Sequence, residues 1–203
     1  MFITFEGIEG SGKSTQAKLL AEHLTQIGHK VTLTREPGWG ELGELIRQVI
    51  LDNRDLELDA FSELCLFCAD RAQHVRDFIR PKLISGEIVI CDRYFDSTVV
   101  YQGYGRKLDK RLVSRIATAS TLDLIPDITF LLNLPVIKGL SRLETRGDTT
   151  KMDEEPVEFH EMIRQGYMLI AKREPNRIKK INGDRQMLDI HAEIRNTLAE
   201  IIT

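Results

Sequence analysis

Long apolar runs are missing from these 203 residues, and so is a surplus of charge of either sign. No stretch approaches the roughly 20 consecutive apolar residues that a membrane-spanning helix needs. The chain enters an apolar run at Phe2 with no basic segment before it, unlike a secretory leader. A cytoplasmic protein that does not enter a membrane is expected. Lys and Arg number 28 against 31 Asp and Glu, a formal net charge of −3, which provides no general attraction to nucleic acid or to an anionic membrane. Cysteine is scarce as well, with only Cys65, Cys68 and Cys91. Cys65 and Cys68 form a C-x-x-C, but no second ligand pair completes a zinc site. Leu64, Leu66 and Phe67 flank them as in a buried helix, so all three cysteines read as small apolar core residues. Repeats, low-complexity tracts and Pro/Gly/Ser linkers are also lacking. With 42% hydrophobic residues, the simplest reading is one domain over residues 1–203.

What the chain does contain is a phosphate-binding loop. Gly7-Ile8-Glu9-Gly10-Ser11-Gly12-Lys13-Ser14 fits G-x-x-x-x-G-K-[ST] at every fixed position and directly follows the apolar run Phe2-Ile3-Thr4-Phe5. Its glycines let backbone N–H groups converge on a phosphate, and the following helix adds the positive end of its dipole. Lys13 reaches the β- and γ-phosphates and Ser14 offers a hydroxyl to Mg²⁺. Ala17, Leu20, Ala21, Leu24 and Ile27 mark an amphipathic helix after the loop, the context that separates a working loop from a plain glycine-rich turn. A dinucleotide fingerprint is excluded because Thr15 stands where a third glycine would be needed.

Short apolar runs then alternate with longer helical periods, the pattern of an α/β protein with a largely parallel sheet. Strands are expected over residues 2–6, 31–35, 88–92, 127–132 and 177–181, and helices over 42–51 and 60–79. In the second of these helices Phe67, Arg71, His74 and Phe78 share a face. An arginine among aromatics is either half of a structural ion pair or a ligand contact. Ligands of open α/β sheets bind beyond the carboxyl ends of the strands, so the loop, Arg35 and Asp92-Arg93 should meet in one crevice. Asp92 ends a buried apolar strand, as does the carboxylate that holds Mg²⁺ directly or through water in P-loop proteins. Arg93 beside it can clamp phosphate oxygens. The polar and aromatic stretch Ser97-Thr98-Val99-Val100-Tyr101-Gln102-Gly103-Tyr104-Gly105-Arg106 reads as a wall of the ligand site. Residues 144–155, charged and lacking apolar anchors, are expected to form a mobile lid.

Together the loop, Thr34-Arg35-Glu36-Pro37-Gly38, Leu66-Phe67-Cys68-Ala69-Asp70-Arg71, Asp92-Arg93-Tyr94, the Ser97 to Gly105 stretch and the Arg146 segment resemble the thymidylate kinase family. These are P-loop nucleoside-monophosphate kinases, and the order and spacing of the motifs match over nearly the whole chain. The resemblance implies a three-layer fold with a five-stranded parallel sheet, Mg²⁺, and ATP as donor to dTMP in dTTP synthesis, with dTDP and ADP as products. It places ATP on Gly7, Ile8, Glu9, Gly10, Ser11, Gly12, Lys13, Ser14, Thr15 and Arg146, and the metal at Ser14 and Asp92. By the same resemblance Phe67 stacks on the thymine ring, Arg71 bonds its O4 edge, and Ser97, sitting beside Arg71, helps set that edge. Arg35 and Arg93 hold the monophosphate, while Glu9 reaches the sugar 3′-hydroxyl or orients the arginines. Thr98, Tyr101 and Gln102 complete the base and sugar pocket, with Tyr101 barring a 2′-hydroxyl. Lys13, Arg93, Arg146, Asp92 and Glu9 form the implied catalytic set, and a homodimer is implied.

Two positions depart from the family pattern. Thr150-Lys151-Met152-Asp153 replaces Asp-Arg-apolar-Glu, keeping a charge at Lys151 without the planar fork, and Asn133 stands where aspartate is more frequent. The same four residues fit the loose [NT]-K-x-D guanine motif of GTP-dependent switches. They follow a polar loop rather than a buried strand, and Asp92 does not open Asp-x-x-Gly, so a switch protein is the weaker reading. Another P-loop nucleotide kinase is the nearer rival, opposed by Phe67, Arg71 and Tyr101.

Overall fold

The computed structural model describes residues 1–147 and 149–202; the side chains of Arg146 and Ile202 fall outside that description. Five strands, β1 (Phe2–Glu6), β2 (Val31–Arg35), β3 (Ile88–Asp92), β4 (Ile128–Asn133) and β5 (Ile178–Asn182), make one sheet in the order β2-β3-β1-β4-β5. Every neighbouring pair is parallel. The helices are α1 (Lys13–Gln26), α2 (Gly40–Arg47), α3 (Ala60–His74), α4 (Arg80–Ile84), α5 (Phe95–Val100), α6 (Lys110–Ser120), α7 (Val136–Arg146), α8 (Val157–Arg173) and α9 (Met187–Ile202).

The two-residue period of a strand sorts β1 between the two faces of the sheet. Ile3 and Phe5 join Ile90, Ile128 and Phe130 under α1 and α9, which contribute Ala17, Leu20, Leu24, Ile190, Ile194 and Leu198. Phe2 points the other way and packs with Val89, Cys91, Val75, Ile79 and Tyr94. Thr4 follows Phe2 onto that face and shares a 2.7 Å hydroxyl hydrogen bond with Thr129, so neither buried oxygen is orphaned. The same alternation turns Glu6 inward, where it is 1% exposed. A further core joins α8 to β4 and β5, with Ile163, Tyr167 and Ile170 against Leu131 and Ile178.

Three expectations need correction. The last two strands sit one residue later than 127–132 and 177–181. Asp127 is engaged at the sheet's rim, where its carboxylate accepts the Phe2 N–H at 2.6 Å, while Asn133 pairs with Asn182 inside the ladder. The helices expected over 42–51 and 60–79 are each an α-helix continued by a π-helical turn, Gln48–Asp52 and Val75–Ile79. A third such turn, Tyr101–Gly105, extends α5. Finally, Cys65 is exposed, unlike the buried Cys68 and Cys91. Leu64 and Cys68 share the inner face of α3 at i, i+4 spacing, which turns Cys65 outward.

Candidate active site

Three strand ends open onto one cleft of about 790 Å³, lined among others by Glu9 to Gln16, Arg35, Phe67, Arg71, Asp92, Arg93, Ser97, Thr98, Tyr101 and Gln102. The strands remain stitched past their ends, because Glu36 donates its N–H to the Asp92 carbonyl and Arg93 donates to that of Phe5, each at 3.0 Å. This holds the β2, β3 and β1 exits side by side. Gly7 and Ile8 do not line the cleft. Ile8 is 3% exposed and packs into the core, and the Gly7 carbonyl accepts from Arg93 at 3.1 Å.

The loop between β1 and α1 needs glycine where it meets α7. Gly10 has φ 66°, and a Cβ there would lie 2.2 Å from the Gly139 carbonyl oxygen; a Cβ on Gly139 would in turn lie 2.5 Å from that of Glu9. The two backbones therefore touch directly, and α7 buttresses the loop. Lys13 curls back, donating Nζ–H to the Ile8 carbonyl at 2.7 Å and to Ser11 Oγ at 3.3 Å. Burial and the Arg93 cation lower its pKa to about 8, against the opposing pull of Asp92, Glu9 and Glu6. Ser14 donates its hydroxyl to Asp92 Oδ2. Asp92 Oδ1 is buried without a partner, a donor set suited to a hard divalent cation.

Arg93 stands at the centre of the acceptor side. Its φ of 70° is uncommon for a side-chain-bearing residue, and its guanidinium is tied down on several sides. Nη2 donates to Glu9 Oε1 at 2.9 Å, while Nη1 donates to Ser97 Oγ and Tyr167 OH at 3.2 Å each. The plane also lies 5.1 Å from the centre of the Tyr101 ring. Burial opposes its charge, but the Tyr101 and Tyr167 hydroxyls and the carboxylates of Glu9 and Glu6 more than restore it. Burial likewise pushes the Glu9 carboxyl up, and Arg93, His160, Lys13 and Tyr101 together bring it down to about 2. Tyr101 gives its hydroxyl to Glu9 Oε1, and His160 Nδ1 lies 3.2 Å from Oε2.

Arg71 is 2% exposed, and its Nε donates to Glu36 Oε2 at 2.9 Å. The structural ion pair is therefore present, yet the residue also lines the cleft. Arg71 and Ser97, expected side by side, both line the cleft but bond to different partners. Arg71 Nη1 donates to Thr98 Oγ1 at 3.0 Å, while Ser97 donates to Glu6 at 2.6 Å and meets Tyr167 at 2.8 Å. One step along α5 turns a side chain by a quarter-turn and more, enough to send Ser97 toward β1. Arg35 is half exposed and reaches Glu44 at 3.3 Å. The side chain of Arg146, expected to act from the lid, lies outside the described residues.

The segment 144–155 does have an apolar anchor. Met152 is 5% exposed and packs with Ile50, Leu51 and Phe159. Lys151 donates its backbone N–H to the Leu51 carbonyl at 3.0 Å and its ammonium to that of Leu56 at 2.6 Å. Asp153 borders the cleft, but its Oδ2 accepts from Thr150 N and Oγ1 at 2.7 and 2.9 Å. The atypical Asn133 accepts from Arg164 at 3.1 Å.

Several residues lining or backing the cleft escaped the sequence reading. Glu6 ties Tyr94, Ser97 and Tyr167 together, and burial with Asp96 nearby raises its pKa to about 7; an acid closing a largely apolar strand was its visible signal. Arg142, one turn before Arg146, donates to the Gly10 carbonyl at 3.2 Å. Arg185, Gln186 and Met187 follow the carboxyl end of β5 and line the same cleft, as the strand-end rule would have allowed. Nothing in the local pattern of α8 marks His160 or Tyr167.

A backbone cradle for phosphate, facing an arginine-lined basin with room for a second substrate, defines a P-loop phosphotransferase acting on a small phosphorylated acceptor. Comparison with known proteins narrows this class. The thymidylate kinase family profile matches residues 5–194. A thymidylate kinase of Desulfovibrio desulfuricans is 45% identical over 205 residues, taking in 98% of this chain and 94% of that protein. One from Geobacter sulfurreducens is 43% identical over 189 residues, or 90% of this chain and 89% of that one. The crystal structure of thymidylate kinase from Ehrlichia chaffeensis superimposes with a TM-score of 0.80 at 38% identity, covering 98% of each chain. The chain belongs to the thymidylate kinase family, kinases that phosphorylate dTMP to dTDP with ATP.

Proposed function

We propose that this chain carries out that transfer in one domain, with the phosphates of ATP held by residues 9–15 and dTMP in the basin between α3, α5 and the loop. The observation that carries the reading is the Glu9, Arg93 and Tyr101 cluster, which joins the phosphate loop to the acceptor basin. Lys13 supports the β- and γ-phosphates, and Arg93 with Arg35 holds the acceptor phosphate. Glu9 orients Arg93, and Arg146 acts from a lid over 144–155 that closes about its Met152 anchor. Phe67 stacks on thymine, Arg71, Thr98 and Gln102 read the base edge, and Tyr101 excludes a 2′-hydroxyl by bulk. Ser97 serves as a link between Arg93 and Glu6 rather than as a base contact.

Ser14 and Asp92 fit Mg²⁺, which when bound would neutralise the negative charge of the phosphates during transfer. The acceptor oxygen is already anionic near neutral pH, since a phosphate monoester has a second pKa of about 6, so no strong base is needed. What these residues supply is alignment and charge neutralisation. No helix of the described residues is long and apolar enough to cross a membrane; the reading of a cytoplasmic enzyme with no membrane or nucleic-acid partner rests on the net charge of −3 and the nucleotide substrates. The outward Phe61, 46% exposed, supports a homodimer through α3.

The test is ADP formation from Mg·ATP against dTMP, dUMP, dCMP, dGMP, UMP, CMP, AMP and GMP. Turnover concentrated on dTMP, with dUMP weaker, is expected. Preference for any other monophosphate would overturn the acceptor assignment.

A further inference from the structure

Gln102 lies at the start of the π-helical turn after α5, is fully buried and lines the cleft. Its amide is not free to choose an orientation. Nε2 donates to Glu63 Oε1 at 2.8 Å, and Glu63 is in turn gripped by Arg106, whose Nε and Nη2 reach its two oxygens at 3.1 Å. A carboxylate paired in this bidentate way can only accept. Gln102 must therefore turn its NH₂ toward α3 and its carbonyl away, and Gln102 Oε1 is left buried with no partner.

The same cleft holds the Arg71 guanidinium, which can only donate. An acceptor at Gln102 and a donor at Arg71 complement a ring edge in which an N–H adjoins a carbonyl, as N3 and O4 do in thymine and uracil. Cytosine presents the reverse, a lone pair at N3 and an amino group at C4. Both contacts would then be mismatched, which binding sites reject far more strongly than a missing methyl.

We infer that Glu63, which touches no substrate, is a specificity-determining positioning residue: it locks the Gln102 amide so that the pocket takes a 4-oxo pyrimidine and refuses a 4-amino one. The inference rests on the reading of Gln102 as a base contact. Neutralising Glu63 would let residue 63 donate as well as accept, and the Gln102 amide could then turn over.

The test compares kcat/KM for dTMP, dUMP and dCMP in the wild type, Glu63→Gln and Gln102→Leu, with KM for ATP as the check on folding. Glu63→Gln should lower the dTMP to dCMP ratio about tenfold or more, partly by a gain on dCMP, the effect of about one hydrogen bond. The dTMP to dUMP ratio should stay within twofold, because the two bases share this edge; general loosening of the pocket would move both ratios. Gln102→Leu should lower dTMP efficiency at least tenfold with no gain on dCMP. Glu63→Gln leaves Arg106 with Glu155 as its remaining carboxylate partner, so Glu63→Gln/Arg106→Met/Glu155→Gln, which removes all three charges, is read the same way. A dTMP to dCMP ratio unchanged in both Glu63 variants, with Gln102→Leu impaired on dTMP, would overturn the role of Glu63 alone. An unimpaired Gln102→Leu would overturn the base-contact reading and the inference with it.

Discussion

Arg93 and Glu9 meet at 2.9 Å, although one follows β3 and the other lies in the loop after β1. The pair joins the donor and acceptor halves of the cleft. Arg93 is thereby set in place before any phosphate arrives, which removes an ordering cost from the transfer.

Arg93→Ala should lower kcat by about a thousandfold, in the range found when a cationic clamp on a transferring phosphoryl group is lost. ATP affinity should change only a few-fold, since Lys13 and the loop backbone are untouched. Steady-state kinetics with nucleotide titration checks this, and near-normal turnover by a folded variant would refute the role.

His160 holds the second oxygen of Glu9. Burial lowers its pKa, but the bond to Glu9 and that carboxylate's charge raise it further, so the net shift is upward. His160→Leu should lower kcat about tenfold with KM for ATP little changed. His160→Asn, whose amide N–H stands near the position of Nδ1, should recover most of the loss. Equal damage from both substitutions would mean that His160 only fills space.

Lys13 leads to a pH dependence with a defined sign. Its pKa falls from 10.5 to about 8 on folding, so the ligand-free protein gains stability from this site as pH rises from 8 to 10.5. Below pH 8 the buried cation is a cost on the order of 3 kcal/mol. Lys13→Met should therefore be inactive yet more stable than the wild type at pH 7, a difference that shrinks by pH 10 and is measured by chemical unfolding. In active enzyme kcat/KM for ATP should fall above about pH 8. Bound phosphates raise the lysine pKa, so kcat should hold to higher pH.

Much of this was legible in the chain and some was not, for identifiable reasons. β1, β2 and β3 fall where their apolar runs begin and end, because each is bounded by a turn or by the functional residue that closes it. β4 and β5 drift by one because Asn133 and Asn182 stay in register at the end of the ladder, each with its side chain bonded outside it, which apolar patterning cannot register. The loop, Asp92 and Arg93 carry strong local patterns. Ser97 and Thr98 are neighbours whose roles divide by helix rotation, and the π-helical turn after α5 has no local signature. His160 and Tyr167 reach the site from α8, 151 residues from Glu9 and 161 from Glu6, where only tertiary packing brings them in. Met152 was hidden by the charged residues around it.

The contact between Gly10 and Gly139 is open to a direct test. Gly139→Ala drives a methyl against the Glu9 carbonyl and should displace the loop, lowering ATP affinity tenfold or more and costing about 1–3 kcal/mol of stability through overpacking. Ser141→Ala, on the same helix but exposed, should leave both within error. Calorimetric titration with ADP distinguishes the two, and equal affinities would show that α7 does not support the loop.

A crystal structure with dTMP and ADP bound would decide whether the basin is the acceptor site. The expected result has thymine lying on Phe67, its O4 facing Arg71, its N3–H on Gln102 Oε1, and its phosphate between Arg35 and Arg93. A nucleotide seated with its base elsewhere, or with its phosphate away from Arg93, would contradict the assignment of the cleft.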